Sequence, residues 1–234
     1  MIIFNISKSE VIMTNVQEMI YQLTSYIALN DKMQNILEVV DRELFTPSYA
    51  RHLAFSLDAI DMGNGRWIQS PLTVAKIVQY LELKKSDNVL EIGCGSGYQT
   101  AIFSQLCQKV VTLDCDEALL QKADKIFDDL KINNIQTNYV HKAKNWNLKE
   151  KFNIIVVSMA IDKVPNDWFE QLVEGGTLIA PMIEADNYHV LTRFYKKNGR
   201  IEKDSIEQVL FIIMQDVIER CKVKSKYDFR FWLG

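Results

Sequence analysis

An α/β fold is predicted for this chain: a mostly parallel sheet with helices on both faces, preceded by a helical N-terminal extension. Three observations carry the prediction. Strand-like and helix-like runs alternate from Asn88 onward, the pattern of a parallel sheet with crossover helices. Phe152-Asn-Ile-Ile-Val-Val157 is almost wholly apolar, as a central strand buried on both sides must be. Between the first strand-like run and the helical pattern after it stands Gly93-Cys-Gly-Ser-Gly97, where missing Cβ atoms let a ligand come close to the backbone.

The N-terminal part reads as helical. Val16, Met19, Ile20 and Leu23 fall at helical spacing within 15–26, and Met33, Ile36, Leu37 and Val40 do so within 31–40, with Asn30 or Asp31 as N-cap. These amphipathic helices serve either to cover their own sheet or to form a homodimer, so monomer and dimer both stay open. Asp41-Arg-Glu-Leu-Phe-Thr-Pro47 breaks the helix at its proline, and one further turn is predicted at 48–53. Residues 54–70 lack periodicity, and Asp58 to Arg66 reads as a turn-rich loop. Pro71 suits a first helical turn and opens a helix running to about Leu83.

Strands are then expected at 88–92, 109–113, 136–141, 153–158, 176–181, 188–195 and 206–214, with helices at 98–106, 117–130 and 166–173. Asn198-Gly199 marks a hairpin between the last two strands. The organisation is residues 1–70 as helical extension and loop, 71–214 as the ligand-binding domain, and 215–234 as a C-terminal tail.

Composition narrows the function. The chain has 234 residues, is 48% hydrophobic and carries a net charge of −3. That suffices for a sizeable core and offers no basic excess for nucleic acid or an anionic membrane. The basic run Arg220 to Lys226 reads as a solvated segment, with weak docking of an acidic partner as the alternative. Cys94, Cys107, Cys115 and Cys221 form no Cys-x-x-Cys pair and stand at no ligand spacing from histidine, so reduced thiols and no metal are expected. No run is long enough to cross a bilayer. Met1 to Ile6 lacks the basic start of a secretory signal, which leaves a cytoplasmic protein as the default, with Met13 as an alternative start.

Glycine loops of this kind serve both dinucleotides and S-adenosylmethionine. A dinucleotide fingerprint needs G-x-G-x-x-G, whereas here the pattern is G-x-G-x-G with Tyr98 at the third fingerprint position. Glu91 stands two residues before the loop, where a carboxylate suits the cationic amino-acid end of a methyl donor and not a pyrophosphate. Asp114 closes the next strand-like run, about 20 residues on, placed to accept hydrogen bonds from ribose hydroxyls. Three glycines between two such acids point to S-adenosylmethionine.

The run Val89-Leu-Glu-Ile-Gly-Cys-Gly-Ser-Gly-Tyr98 resembles the first motif of class I methyltransferases, in the form used by the protein-L-isoaspartate O-methyltransferase family. Val40-Asp-Arg-Glu-Leu-Phe-Thr-Pro47 is similar to that family's V-P-R-x-x-F-x-P, with Asp41 for the proline. Gly63-Asn-Gly-Arg-Trp-Ile-Gln-Ser-Pro71 resembles its substrate loop G-x-G-x-x-I-S-x-P, and Gly175-Gly176 to Pro181 a later motif. The resemblance implies a Rossmann-like, seven-stranded methyltransferase sheet, S-adenosylmethionine as donor, and methylation of an isoaspartyl carboxylate in protein repair. It places Glu91, Gly93, Gly95 and Gly97 around the methionine end and Asp114 on the ribose hydroxyls; Cys94, Cys115 and Ser158 are further cofactor-binding candidates.

Three departures bear on function. The family's loop carries a hydroxyl residue where this chain has Gln69, with a serine one place later at Ser70. Gln69 and Ser70 are the acceptor-side candidates, although Ser70 is better suited to cap the helix after Pro71. The family's Gly-Asp-Gly after the third strand is replaced by His141-Lys-Ala143, and the tail Asp228 to Gly234 departs from the family ending. Three functions remain open at this point: isoaspartyl methylation, methylation of another protein or a small molecule, and donor binding without turnover.

Overall fold

The computed structural model describes residues 13–140, 148–185, 188–214 and 218. The two predicted N-terminal helices form as α1 (Asn15–Thr24) and α2 (Asp31–Val39). A capping box between Thr14 and Gln17 starts α1, and the Asn30 side chain accepts from Met33 N–H to start α2. Their apolar faces, Met19, Ile20, Leu23, Met33, Ile36 and Leu37, join one buried cluster with Tyr98, Ile102, Ala123 and Phe127. These faces are thus covered within the chain itself.

Two short 3-10 turns, Arg42–Phe45 and Ser48–Leu53, lead to a feature the sequence reading left as loop. Residues 60–68 form a two-stranded antiparallel hairpin, β1 (Ile60–Gly63) and β2 (Arg66–Ile68). Asn64 and Gly65 make its turn with φ of 55° and 67°, the pair of left-handed conformations that a type I′ hairpin turn requires. Helix α3 (Pro71–Leu81) follows, capped by Ser70.

The alternating region then gives β3 (Asn88–Ile92), α4 (Tyr98–Ser104), β4 (Lys109–Asp114), α5 (Glu117–Asp129), β5 (Ile135–Tyr139), β6 (Phe152–Val157), α6 (Asn166–Gln171), β7 (Leu172–Ile183), β8 (His189–Lys197) and β9 (Arg200–Val209). These build one seven-stranded sheet in the order β5-β4-β3-β6-β7-β8-β9. The strands from β5 to β7 are parallel, and β8 and β9 are antiparallel. Side chains alternate across the sheet as the pleat demands. Leu90, Ile92, Leu113, Ile155 and Val157 face one core, while Val89, Val110, Ile154 and Val156 face the other.

The last strand was misplaced by the sequence reading, which set it at 206–214. It begins directly after the Asn198-Gly199 turn and ends at Val209. Its first residues, Arg200 to Asp204, are exposed and largely charged, so no apolar alternation announces them. In the same region α6 runs without a break into β7, which starts at Leu172.

Candidate active site

Strand order reverses direction at β3, with β4 on one side and β6 on the other, and ligands of open α/β sheets bind at the carboxyl ends beside such a switch. There the glycine loop leaves β3 and enters α4. Gly97 is the N-cap of α4 at φ +88°, and a Cβ on it would stand 2.7 Å from Phe127 Cζ and 3.0 Å from Ala123 Cβ. The loop therefore lies flush on α5. Gly97→Ala is expected to lower stability by about 2 kcal/mol through backbone strain and overpacking, read as a reduced urea midpoint at constant slope; an unshifted midpoint would refute this packing.

Glu91 is fully buried and lines the cleft above the loop. It sits beside Thr112 in the β3–β4 register and accepts that hydroxyl at 2.7 Å. From α4, the Gln99 amide donates to it at 2.9 Å, and the Thr100 hydroxyl donates to its second oxygen. Burial pushes the Glu91 carboxyl up to about 7, against the downward pull of these three donors. The same Gln99 amide also donates to Ser158 Oγ at 2.8 Å, and its own carbonyl oxygen is buried without a partner among the described residues. Buried polar atoms are normally paired, so an orphan acceptor beside a carboxylate marks a place for a cationic donor.

Asp114 ends β4 and is 3% exposed. Its Oδ1 accepts from Asp116 N–H at 3.0 Å and its Oδ2 from Gly95 N–H at 2.9 Å. Its Oδ2 also pairs with the guanidinium of Arg66, at the start of β2. Arg66 lines the cleft, whereas Asp114 lies behind it.

The cleft itself encloses about 490 Å³, counting its mouth. Glu91, Gly93 to Ser96, Tyr98, Gln99, Ser158 and Met159 form one wall, and Arg66, Trp67, Ile68 and Gln69 of the hairpin form the other. Of the predicted residues, Glu91, Gly93, Cys94, Gly95, Ser158 and Gln69 thus meet around one cavity. Gly97 sits beneath it, Asp114 is reached only past Arg66, and Cys115 is half-buried outside the cleft wall. Ser70 is turned to α3, where its hydroxyl accepts from Thr73 N–H at 3.0 Å. His141 to Ala143 and the tail lie outside the described residues. Burial holds the Cys94 thiol well above its ordinary range, so it offers no thiolate nucleophile.

Arg42 went unnoticed as a site residue, although it lies inside a quoted motif. Its side chain is 1% exposed, and its guanidinium donates to four backbone carbonyls: Ala54 at 3.0 Å, Ser56 at 2.9 Å, Asp58 at 2.9 Å and Gln69 at 3.0 Å. It also lies 5.6 Å from the centre of the Tyr98 ring. Burial draws its guanidinium down to about 10, still protonated at neutral pH. One side chain thus ties the segment before β1 and the loop after β2 to the glycine-loop helix.

The residues fit S-adenosylmethionine. Two acids and an orphan amide carbonyl suit its ammonium and ribose, and open space surrounds the position where a Gly95 Cβ would stand. Sheet order and site together define a class I S-adenosylmethionine-dependent methyltransferase. A sequence profile of the protein-L-isoaspartate(D-aspartate) O-methyltransferase family matches residues 14–219. A protein-L-isoaspartate O-methyltransferase of Helicobacter pylori strain J99 is 36% identical over 192 residues, 82% of this chain and 91% of that protein. One of Photobacterium profundum is 34% identical over 183 residues, 78% and 87% of the two chains. Among solved structures, one described as a protein-L-isoaspartate O-methyltransferase of Plasmodium falciparum, in complex with S-adenosyl-L-homocysteine, superposes with a TM-score of 0.75 at 23% identity, covering 87% of this chain and all of that one. The chain belongs to the protein-L-isoaspartate(D-aspartate) O-methyltransferase family.

Proposed function

We propose that this chain methylates the free carboxylate of isoaspartyl residues in proteins and peptides, using S-adenosylmethionine. The observation that carries the proposal is the shared cleft: the glycine-loop wall with Glu91 and Gln99 faces the hairpin wall with Gln69 across one cavity. Glu91 and the Gln99 carbonyl would receive the ammonium of the donor, Asp114 its ribose hydroxyls, and Gly93 to Gly97 the close approach. When bound, S-adenosylmethionine supplies a methyl group whose C–S bond breaks, the electron pair passing to sulfur, as the acceptor oxygen bonds the carbon.

The protein's share of the chemistry is positioning. A carboxylate with an ordinary pKa of about 4 is already ionised at neutral pH, so no general base is needed. It must be stripped of water and held within about 3–3.5 Å of the methyl carbon. Among the described residues, the cleft wall contains no histidine, and its backbone near Gln69 is fixed by Arg42. Both features suit an acceptor that arrives as an anion.

Transfer of a labelled methyl group to an isoaspartyl hexapeptide, with none to the matched aspartyl peptide, is the expected result; equal labelling or no labelling of the pair would refute the reading. Gln69→Ser restores a hydroxyl at the loop and is expected to raise kcat/KM about fivefold, the worth of one neutral hydrogen bond. Gln69 also favours a second reading, an acceptor other than an isoaspartyl residue. Labelling of a small-molecule extract without labelling of the peptide would establish it.

A further inference from the structure

The hairpin wall of the cleft lacks a hydroxyl at Gln69, and Ser70 is committed to capping α3. Another hydroxyl meets the same cavity from the opposite wall. Ser158 follows the end of β6 and is half-buried, and its backbone N–H donates to the Ile92 carbonyl at 2.9 Å, which fixes it against β3. Its Cβ lies 3.4 Å from where a Gly93 Cβ would stand, so the bare backbone of Gly93 leaves it room beside the glycine loop.

Gln99 decides which way that hydroxyl can donate. Its amide nitrogen carries two hydrogens; one goes to Glu91 at 2.9 Å and the other to Ser158 Oγ at 2.8 Å. When Glu91 is ionised it can only accept, so the nitrogen end of the amide must face it. Ser158 Oγ is therefore an acceptor toward Gln99, and its own hydrogen must point elsewhere. Among the described residues, no acceptor takes that hydrogen. A donor held in this way at a cleft wall suits an anion, since charge makes such a bond shorter and stronger. The strand order says which anion. On the proposed function the donor's acids are Glu91 on β3 and Asp114 on β4, so the donor runs along that side of the switch. Ser158 belongs to β6, the other neighbour of β3, with Gln69 on the facing wall.

We propose that the Ser158 hydroxyl donates to the carboxylate that is methylated, and that Gln99 is the positioning residue that aims it. The hydroxyl keeps its proton throughout. It holds one carboxylate oxygen while the other bonds the methyl carbon and the C–S electron pair passes to sulfur. Methylation turns the carboxylate into a neutral ester, a weaker acceptor for the same hydroxyl, which favours release of the product. Gln99 touches Glu91 and Ser158 at once, so the amide that fixes the donor's acid also orients the acceptor's hydrogen bond. This inference rests on the proposed function, since it names the group that holds the isoaspartyl carboxylate.

Kinetics and calorimetry on the full chain separate the two carboxylates that this hydroxyl could serve, the acceptor's and the donor's own. In Ser158→Ala, kcat/KM for an isoaspartyl hexapeptide is expected to fall about tenfold, the worth of one hydrogen bond to a charged group. S-adenosylhomocysteine keeps the donor's carboxylate, and it should bind the variant within about twofold of wild type. Ser158→Thr and Ser158→Val differ only by a hydroxyl for a methyl group, so the threonine variant should recover most of the activity that the valine variant lacks. That pair carries the test if the alanine variant does not fold. A serine with only a packing role would leave threonine and valine alike, which overturns the inference. Homocysteine binding weakened as much as kcat/KM would give the hydroxyl to the donor and overturn it too. Labelling of the peptide by the wild type and by Ser158→Ala at equal kcat/KM removes this inference alone, whereas a wild type that labels no isoaspartyl peptide removes the proposed function and this inference with it.

Discussion

Replacing Arg42 by leucine is expected to lower the free energy of unfolding by about 3–5 kcal/mol, close to what breaking a buried charged network costs. The reason is the number of groups it serves. Four carbonyl oxygens, of Ala54, Ser56, Asp58 and Gln69, lose their donor at once, three of them in a segment with little regular structure to replace it. A buried acceptor without a partner costs about 1–3 kcal/mol, so even partial access of water leaves a large sum. Leucine keeps the site apolar and near the same bulk against Tyr98, which separates the hydrogen bonds from simple loss of packing. Arg42→Lys retains the charge but lacks the fork, and about 2 kcal/mol is expected for it. Urea denaturation at constant slope measures both, and a loss below about 1 kcal/mol for leucine would refute the network reading. The folded fraction of the lysine variant should also show a reduced kcat/KM, because Gln69 loses its backbone anchor.

That network illustrates where the sequence was readable. The donor half of the site rests on local grammar: an apolar strand, a run of glycines, an acid before and an acid after. Each signal lies within a few residues of its neighbour, so Glu91, Gly93, Gly95 and Asp114 could be proposed from spacing alone, and the fold brings Glu91, Gly93 and Gly95 to one cleft. The central strands were legible for the same reason, since β3, β4 and β6 are buried on both faces and carry continuous apolar runs. The β1–β2 hairpin was not. Its strands are 4 and 3 residues long, too short for alternation to register, although Asn64-Gly65 carries the same turn signal that located Asn198-Gly199.

Partnerships across sequence distance were invisible. Arg66 meets Asp114 across 48 positions, and Arg42 reaches Gln69 across 27. Nothing in either neighbourhood announces the pairing. Arginines in loops are usually solvated, and only the fold turns these two inward. Gln99 was hidden differently: it reads as one more polar residue in a first helical turn, and its importance comes from facing Glu91 on the neighbouring strand. Ser70 was legible in both its readings, and the geometry places it as the cap of α3. Cys115, a cofactor-binding candidate, follows the end of β4, is half-buried and does not line the cleft.

Donor affinity should rise with pH, about tenfold between pH 6 and 7.5, and the rise should vanish in Glu91→Gln. The Glu91 carboxyl sits at about 7 because burial disfavours its charge. Below that value it is mostly protonated and offers the donor's ammonium no negative partner; above it the carboxylate is present, while an amino group stays protonated across the same interval. Apo stability must move the opposite way. The unfolded carboxyl titrates at its ordinary value of 4.5, so between 4.5 and about 7 the folded state holds a proton that the unfolded state lacks. Stability from this group is therefore fully present below 4.5 and is lost as pH rises through 7, by about 3 kcal/mol at most. Glu91→Gln removes that slope and should leave the ligand-free protein more stable than wild type at pH 8. It should also bind S-adenosylhomocysteine about tenfold more weakly there, since a hydrogen bond to a charged group is worth more than a neutral one. Calorimetry and urea denaturation across this range read the two slopes separately. One proton governs both, so a wild type whose homocysteine affinity is flat from pH 6 to 7.5 would remove Glu91 from contact with the ammonium, whatever its stability profile shows.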